Sequence, residues 1–200
     1  MTDARRTALR RAGLLLALIV LLDLVIRTAD PDYAVLGVLD EPAHLATGAL
    51  LALAVSTRTG PWSRSAWLTV LAAACLIDAD HVPAALGSNV LTHGTPRPYT
   101  HSLTTVAVLL LLALAARALR RRHVSALLAV AALGVGGHLL RDLGTAPVAL
   151  FWPVSDAGVT LPYAGYLAVL VAAALAAVAG ARRPQPAQPV HEPVRTGGPQ

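Results

Sequence analysis

The sequence predicts an all-α fold: a polytopic membrane helical bundle of about six transmembrane helices, with both termini in the cytoplasm. Three observations carry that expectation. Of the 200 residues, 56% are hydrophobic and only 14% charged, with a mean hydropathy of +0.61. A soluble domain carries about 25% charged residues, so the polar groups that would coat an Ala/Leu-rich soluble bundle are too few. The apolar residues gather in six runs, and the arginines gather between those runs on one side.

The runs cover approximately 12–26, 43–55, 66–77, 103–116, 124–140 and 161–181. Arg5, Arg6, Arg10 and Arg11 precede the first, Arg58 and Arg64 separate the second from the third, and Arg117, Arg120, Arg121 and Arg122 separate the fourth from the fifth. Arg182, Arg183 and Arg195 follow the sixth. Thirteen of the 16 basic residues, all of them Arg, therefore fall on one side, and only Arg27, Arg97 and Arg141 on the other. The positive-inside rule assigns the arginine-rich side, and with it both termini, to the cytoplasm. Tyr33, Tyr99, Trp152, Tyr163 and Tyr166 then mark the non-cytoplasmic interface, and Trp62 and Trp67 the cytoplasmic one.

The first run follows an arginine-rich start, as a signal peptide would, but no convincing small-residue cleavage site follows it, and it is expected to stay as a helix. Residues 1–181 are expected to form one membrane-embedded helical domain. Residues 182–200, rich in proline, are expected to form a disordered cytoplasmic tail in which His191 has no task. The net charge of +5 comes from arginines placed by topology, without aromatic interleaving or a nucleic-acid motif, so no nucleic-acid partner is expected. Cys75 is the only cysteine, which excludes an intramolecular disulfide, and it reads as a small buried residue.

Several runs are shorter than the roughly 20 residues a span needs, and the shortfall falls at ends that carry His and Asp. Charged side chains near a bilayer are costly and persist with partners and a task. Glu41 and His44 flank the start of the second run, with Pro42 suited to a first helical turn. Asp78-Ala79-Asp80-His81 ends the third run. Asp78 and His81 can share a helix face, whereas Asp80 points elsewhere unless the helix unwinds. Carboxylates are unfavourable at a helix C-terminus, a penalty that a bound cation would reverse. Arg97, Thr100, His101 and Ser102 lead into the fourth run, where Thr100 or Ser102 could cap the helix and Arg97 could hold an anion such as a phosphate. His93, in the same loop, is a weaker ligand candidate. His138 and Asp142 end the fifth run four residues apart, on one helix face, after Gly134, Gly136 and Gly137, which permit close helix approach.

His44, Asp78, Asp80, His81, His101, His138 and Asp142 thus map to one end of the bundle as candidate ligands. Mixed imidazole and carboxylate donors suit one or two ions of zinc, manganese or iron. His44, Asp78-x-Asp80-His81, Arg97-x-x-Thr100-His101-Ser102, His138-x3-Asp142 and Phe151-Trp152-Pro153, in that order, resemble the YdjM-like family of bacterial inner-membrane proteins, described as metal-dependent hydrolases. Ile77 stands where the family often has Pro, and Pro96 and Pro98 where it often has the His and Gly flanking the Arg, so no family role transfers to those positions. One branch carries a LexA-binding label, which nothing in this sequence supports.

The resemblance implies hydrolysis. Zinc or manganese would activate water, Asp80 or Glu41 would serve as general base, and Arg97 would hold an anionic substrate, a phosphoester or lipid-linked phosphate at the membrane surface. Two other classes remain open: a non-catalytic membrane protein with a structural or regulatory metal site, and a transporter. The second of these has only Asp23 as a mid-run charge, which could pair with Arg27.

Overall fold

A computed structural model describes residues 1–29, 31–92, 95 and 97–181. Asp30, His93, Pro96 and the segment 182–200 lie outside the described residues, so the readings of His93 and of the tail are not addressed by it. Among the described residues the chain is helical, without strands and with one isolated bridge between Val148 and Val159.

Helix α1 runs Asp3–Ala29 and α2 Tyr33–Thr59. Helix α2 begins well before its apolar run because Asp32 caps it, the Oδ1 accepting from the Val35 N–H at 2.9 Å. Pro42 therefore lies inside the helix and not in its first turn, which corrects the sequence expectation. Its missing N–H costs one hydrogen bond in a helix otherwise continuous across it.

Helix α3 runs Arg64–Leu76, starting on the Ser63 hydroxyl, which accepts from Ala66 N at 3.2 Å. It tightens into a 3₁₀ turn over Ile77–Asp80 and passes into a short helix α4, His81–Ala85. Helices α5, α6 and α7 cover Leu103–Ala118, Arg122–Thr145 and Tyr163–Gly180. Among the described residues, five helical segments are long and apolar enough to cross a membrane, and α5 is a shorter apolar helix of 16 residues, roughly 24 Å at the α-helical rise.

Helix α2 is central, packed against α1, α3, α6 and α7, while α6 also meets α3 and α5. Ile19, Leu50, Tyr166, Leu170 and Ala177 form the main buried cluster between α1, α2 and α7. Near the His and Asp residues the packing instead relies on small side chains. Gly137 lies against Gly48, and a Cβ placed on Gly134 would sit 2.4 Å from the Val70 carbonyl oxygen. This brings α2, α3 and α6 close enough for their polar ends to meet. Gly136 faces open space and plays no part in that approach. Tyr166, expected at the interface, is fully buried instead.

Candidate metal centre

Four segments of the bundle deliver the polar residues to one place. His44 comes from α2, Asp78, Asp80 and His81 from the turn after α3, His101 from the residues before α5, and His138 and Asp142 from α6. The 3₁₀ turn explains how Asp80 joins Asp78 and His81. At three residues per turn Asp78 and His81 eclipse, with His81 Nε2 3.4 Å from Asp78 Oδ1. The same turn brings Asp80 Oδ2 within 3.2 Å of His101 Nδ1.

All seven candidate ligands fall into two adjoining groups, Asp78, Asp80, His81 and His101 in one and His44, His138 and Asp142 in the other. Within each group one donor atom per residue lies within 4.8 Å of the rest. The groups touch. His101 Nε2 is 3.1 Å from His138 Nε2, Asp78 Oδ1 is 3.4 Å from His138 Nε2, and Asp142 Oδ2 is 3.6 Å from His101 Nε2. His44 stacks on His138 with ring centroids 3.8 Å apart.

Hydrogen bonding orients these donors. The Nδ1–H of His138 donates to the Ala74 carbonyl at 2.7 Å. A carbonyl can only accept, so Nδ1 carries a proton and Nε2 faces the other ligands. His101 lies outside the helices long enough to span. Burial lowers its pKa, but the carboxylates of Asp78 and Asp80 beside it outweigh burial and hold it above the ordinary imidazole value.

The donor set fits a divalent cation. Asp142 Oδ2 and both Asp80 oxygens are buried without a hydrogen-bond partner, with only imidazoles at ion-pair distance. Buried polar atoms left in this state are costly, and cation coordination is the interaction that carboxylate oxygens and imidazole nitrogens share. Arg97 Nη1 reaches Asp142 Oδ1 at 3.0 Å, putting one guanidinium in contact with a site that holds Asp78, Asp80 and Asp142.

Glu41 and Arg97 line a cavity of about 820 Å³ that also reaches Asp40, Asp78 and His81, and whose remaining wall includes Leu36, Val38 and Pro98. Glu41 Oε2 is buried without a partner. Ser102 occupies the position before α5 in extended backbone (φ −143°, ψ 161°), but neither it nor Thr100 makes a side-chain cap, and both hydroxyls are buried unpartnered. The Phe151-Trp152-Pro153 segment covers this loop. Trp152 stacks on Tyr99 at 4.5 Å, and its carbonyl accepts from the Thr104 hydroxyl.

These positions coincide with a family pattern. Residues 39–194 match the family described as YdjM inner membrane protein. The chain belongs to that family. Comparison with curated proteins and with solved structures returned no match. As a YdjM-family membrane protein it carries its His/Asp cluster entirely inside the matched region, whereas α1 precedes it.

Sequence reasoning missed Asp40 and gave Arg141 only a topological meaning. Arg141 is buried between Asp40, which accepts from its Nε at 2.9 Å, and Asp23 of α1. Asp23 therefore does not await Arg27, whose guanidinium lies 3.8 Å over the Tyr163 ring. The signal that could have found Asp40 is its spacing of four from His44, visible only once the helix is known to begin at Tyr33.

Proposed function

We propose that the chain is a metal-dependent hydrolase of the bacterial cytoplasmic membrane, acting at the non-cytoplasmic face on a phosphoester or lipid-linked substrate. The observation that supports it most is two adjoining ligand groups beside a cavity of about 820 Å³. Asp78, Asp80, His81 and His101 would hold one divalent ion, zinc or manganese, and His44, His138 and Asp142 a second. Such ions, when bound, act as Lewis acids and lower the pKa of water.

The chain's own groups do the rest. Asp80 or Glu41 takes the proton from the attacking water as general base. Arg97 holds the anionic part of the substrate and offsets charge that develops on it. Leu36, Val38 and Pro98 receive the apolar part of an amphiphile arriving from the bilayer. In this reading residues 1–181 are the membrane-embedded hydrolase-like domain, residues 182–200 a cytoplasmic tail, and nucleic acid is no partner.

One observation favours a second reading. His44, His138 and Asp142 are all fully buried, as the ligands of a closed structural or regulatory site would be. Elemental analysis of the purified protein, followed by a hydrolysis screen over phosphate esters and phospholipids with and without chelator, separates the two. Bound metal with chelator-sensitive turnover is the expected result. Metal without turnover favours the structural site, and protein that stays metal-free after growth in metal-replete medium removes both.

A further inference from the structure

Beside the ligand groups lies a second polar cluster, to which the hydrolytic reading gives no role. Its centre is Arg141, 1% exposed, and it also includes Asp23, 4% exposed. Arg141 Nε and Nη2 donate to Asp40 Oδ1 at 2.9 and 2.5 Å, and Nη1 donates to Asp23 Oδ1. The other oxygen of each carboxylate is engaged elsewhere. Asp23 Oδ2 accepts from the Tyr163 hydroxyl at 2.8 Å. Asp40 Oδ2 lies 3.2 Å from His44 Nε2.

The division of Asp40 is the informative feature. A carboxylate needed only to neutralise Arg141 would have no reason to present its second oxygen to a ligand imidazole one helical turn away. The same Nε2 lies 3.7 Å from Asp142 Oδ1, so Asp40 and a candidate ligand share one His44 nitrogen, and Nδ1 is the other. That Nδ1 is buried and has no hydrogen-bond partner. A carboxylate set beside a metal-binding histidine fixes its tautomer and ring orientation.

We propose that Asp40 is a positioning residue that fixes the orientation of the His44 ring beside His138 and Asp142, and that the buried Arg141–Asp23 pair holds Asp40 in register. This inference rests on the metal reading above. It also gives α1, which precedes the family match, a part in shaping the site, through Asp23.

Cobalt(II) serves as the probe, added to metal-free full-length protein in lipid nanodiscs and followed by titration, by its visible spectrum and by the thermal shift it produces. Asp40→Asn should weaken cobalt binding at one of the two groups by about 10- to 100-fold and change the corresponding spectral band. Asp23→Asn should act in the same direction but less strongly, and Asp40→Glu should restore part of the loss. A merely structural Asp40 predicts something else: a lower melting temperature of the metal-free protein, with cobalt affinity, spectrum and cobalt-induced thermal shift all unchanged. That pattern overturns the inference and leaves the metal reading standing. If Asp40→Asn does not fold, Asp23→Asn decides, and wild-type cobalt affinity in that variant likewise overturns the inference. Wild-type protein that binds no cobalt overturns the metal reading and this inference together.

Discussion

Arg141 is the residue on which the bundle's interior charge balance turns. Its guanidinium faces two carboxylates, Asp23 and Asp40, in a nearly water-free position. Burying such a cluster is expensive, and removing one partner leaves the others uncompensated. Arg141→Leu is therefore expected to destabilise the protein by about 3–5 kcal/mol, read as a lowered unfolding midpoint in detergent, with Arg141→Lys intermediate because one ammonium cannot serve both carboxylates in the same planar arrangement. A single shared metal site would lose all its metal with either His81→Ala or His138→Ala. Two adjoining groups predict an asymmetry. His81→Ala removes a donor from the group of Asp78, Asp80 and His101 alone. His138→Ala removes one from the group of His44 and Asp142 and also a neighbour of Asp78 in the other group, so it should lower metal content further in elemental analysis. The ligand types and their spacing were legible in sequence, since His138 and Asp142 stand four apart on any helix. Asp40 was not, because placing Pro42 in the first turn left Asp40 outside the helix that pairs it with His44.

At the scale of elements, the site depends on how closely α3 and α6 approach. Gly134 permits that approach, since an added methyl would meet the Val70 carbonyl oxygen at 2.4 Å and the Ala73 Cβ at 2.9 Å. Gly134→Ala should force the two helices apart, at a cost of about 1–3 kcal/mol. It should also weaken cobalt binding, because α3 leads into Asp78, Asp80 and His81 while α6 carries His138 and Asp142. Gly136→Ala, with nothing within 4 Å of the new methyl, is the control and should leave both melting and cobalt titration unchanged. The three glycines read alike in sequence. Which of them faces a neighbouring helix depends on the rotation of α6 about its axis, a property its weakly asymmetric apolar surface leaves undecided. Similarly, the 3₁₀ turn at Ile77–Asp80 was open in sequence: an α-helix would have turned Asp80 away, and only the tighter winding gathers all three donors.

For the whole molecule, the separation of charge is the feature with the widest consequence. The arginine clusters and the His/Asp cluster occupy opposite helix ends, and α1, α2 and α3 share a second small groove at the arginine end, lined by Arg11, Leu53 and Trp67. The positive-inside rule then predicts which end faces the cytoplasm. In a Cys75→Ala background, Val154→Cys in the 92% exposed position beyond α6 should react with a membrane-impermeant maleimide added to intact cells, while Pro61→Cys between α2 and α3 should react only after permeabilisation. The reverse labelling pattern would place the His/Asp cluster in the cytoplasm.

Composition and periodicity by themselves determined that this is a helical membrane protein, roughly where its spans lie, and which residues are chemically able to bind a cation. Those properties are local. They depend on the hydropathy of consecutive residues and on the donor atoms each side chain carries. Tertiary structure alone decided that the seven candidates meet, as two adjoining groups in contact, that His138 presents Nε2 because Nδ1 is held by Ala74, and that Asp40 and Arg141 lie against them. These are contacts between distant segments, such as Asp23 with Arg141 across 118 positions, and they are set by helix rotation and close packing, on which neither hydropathy nor spacing within a single helix bears.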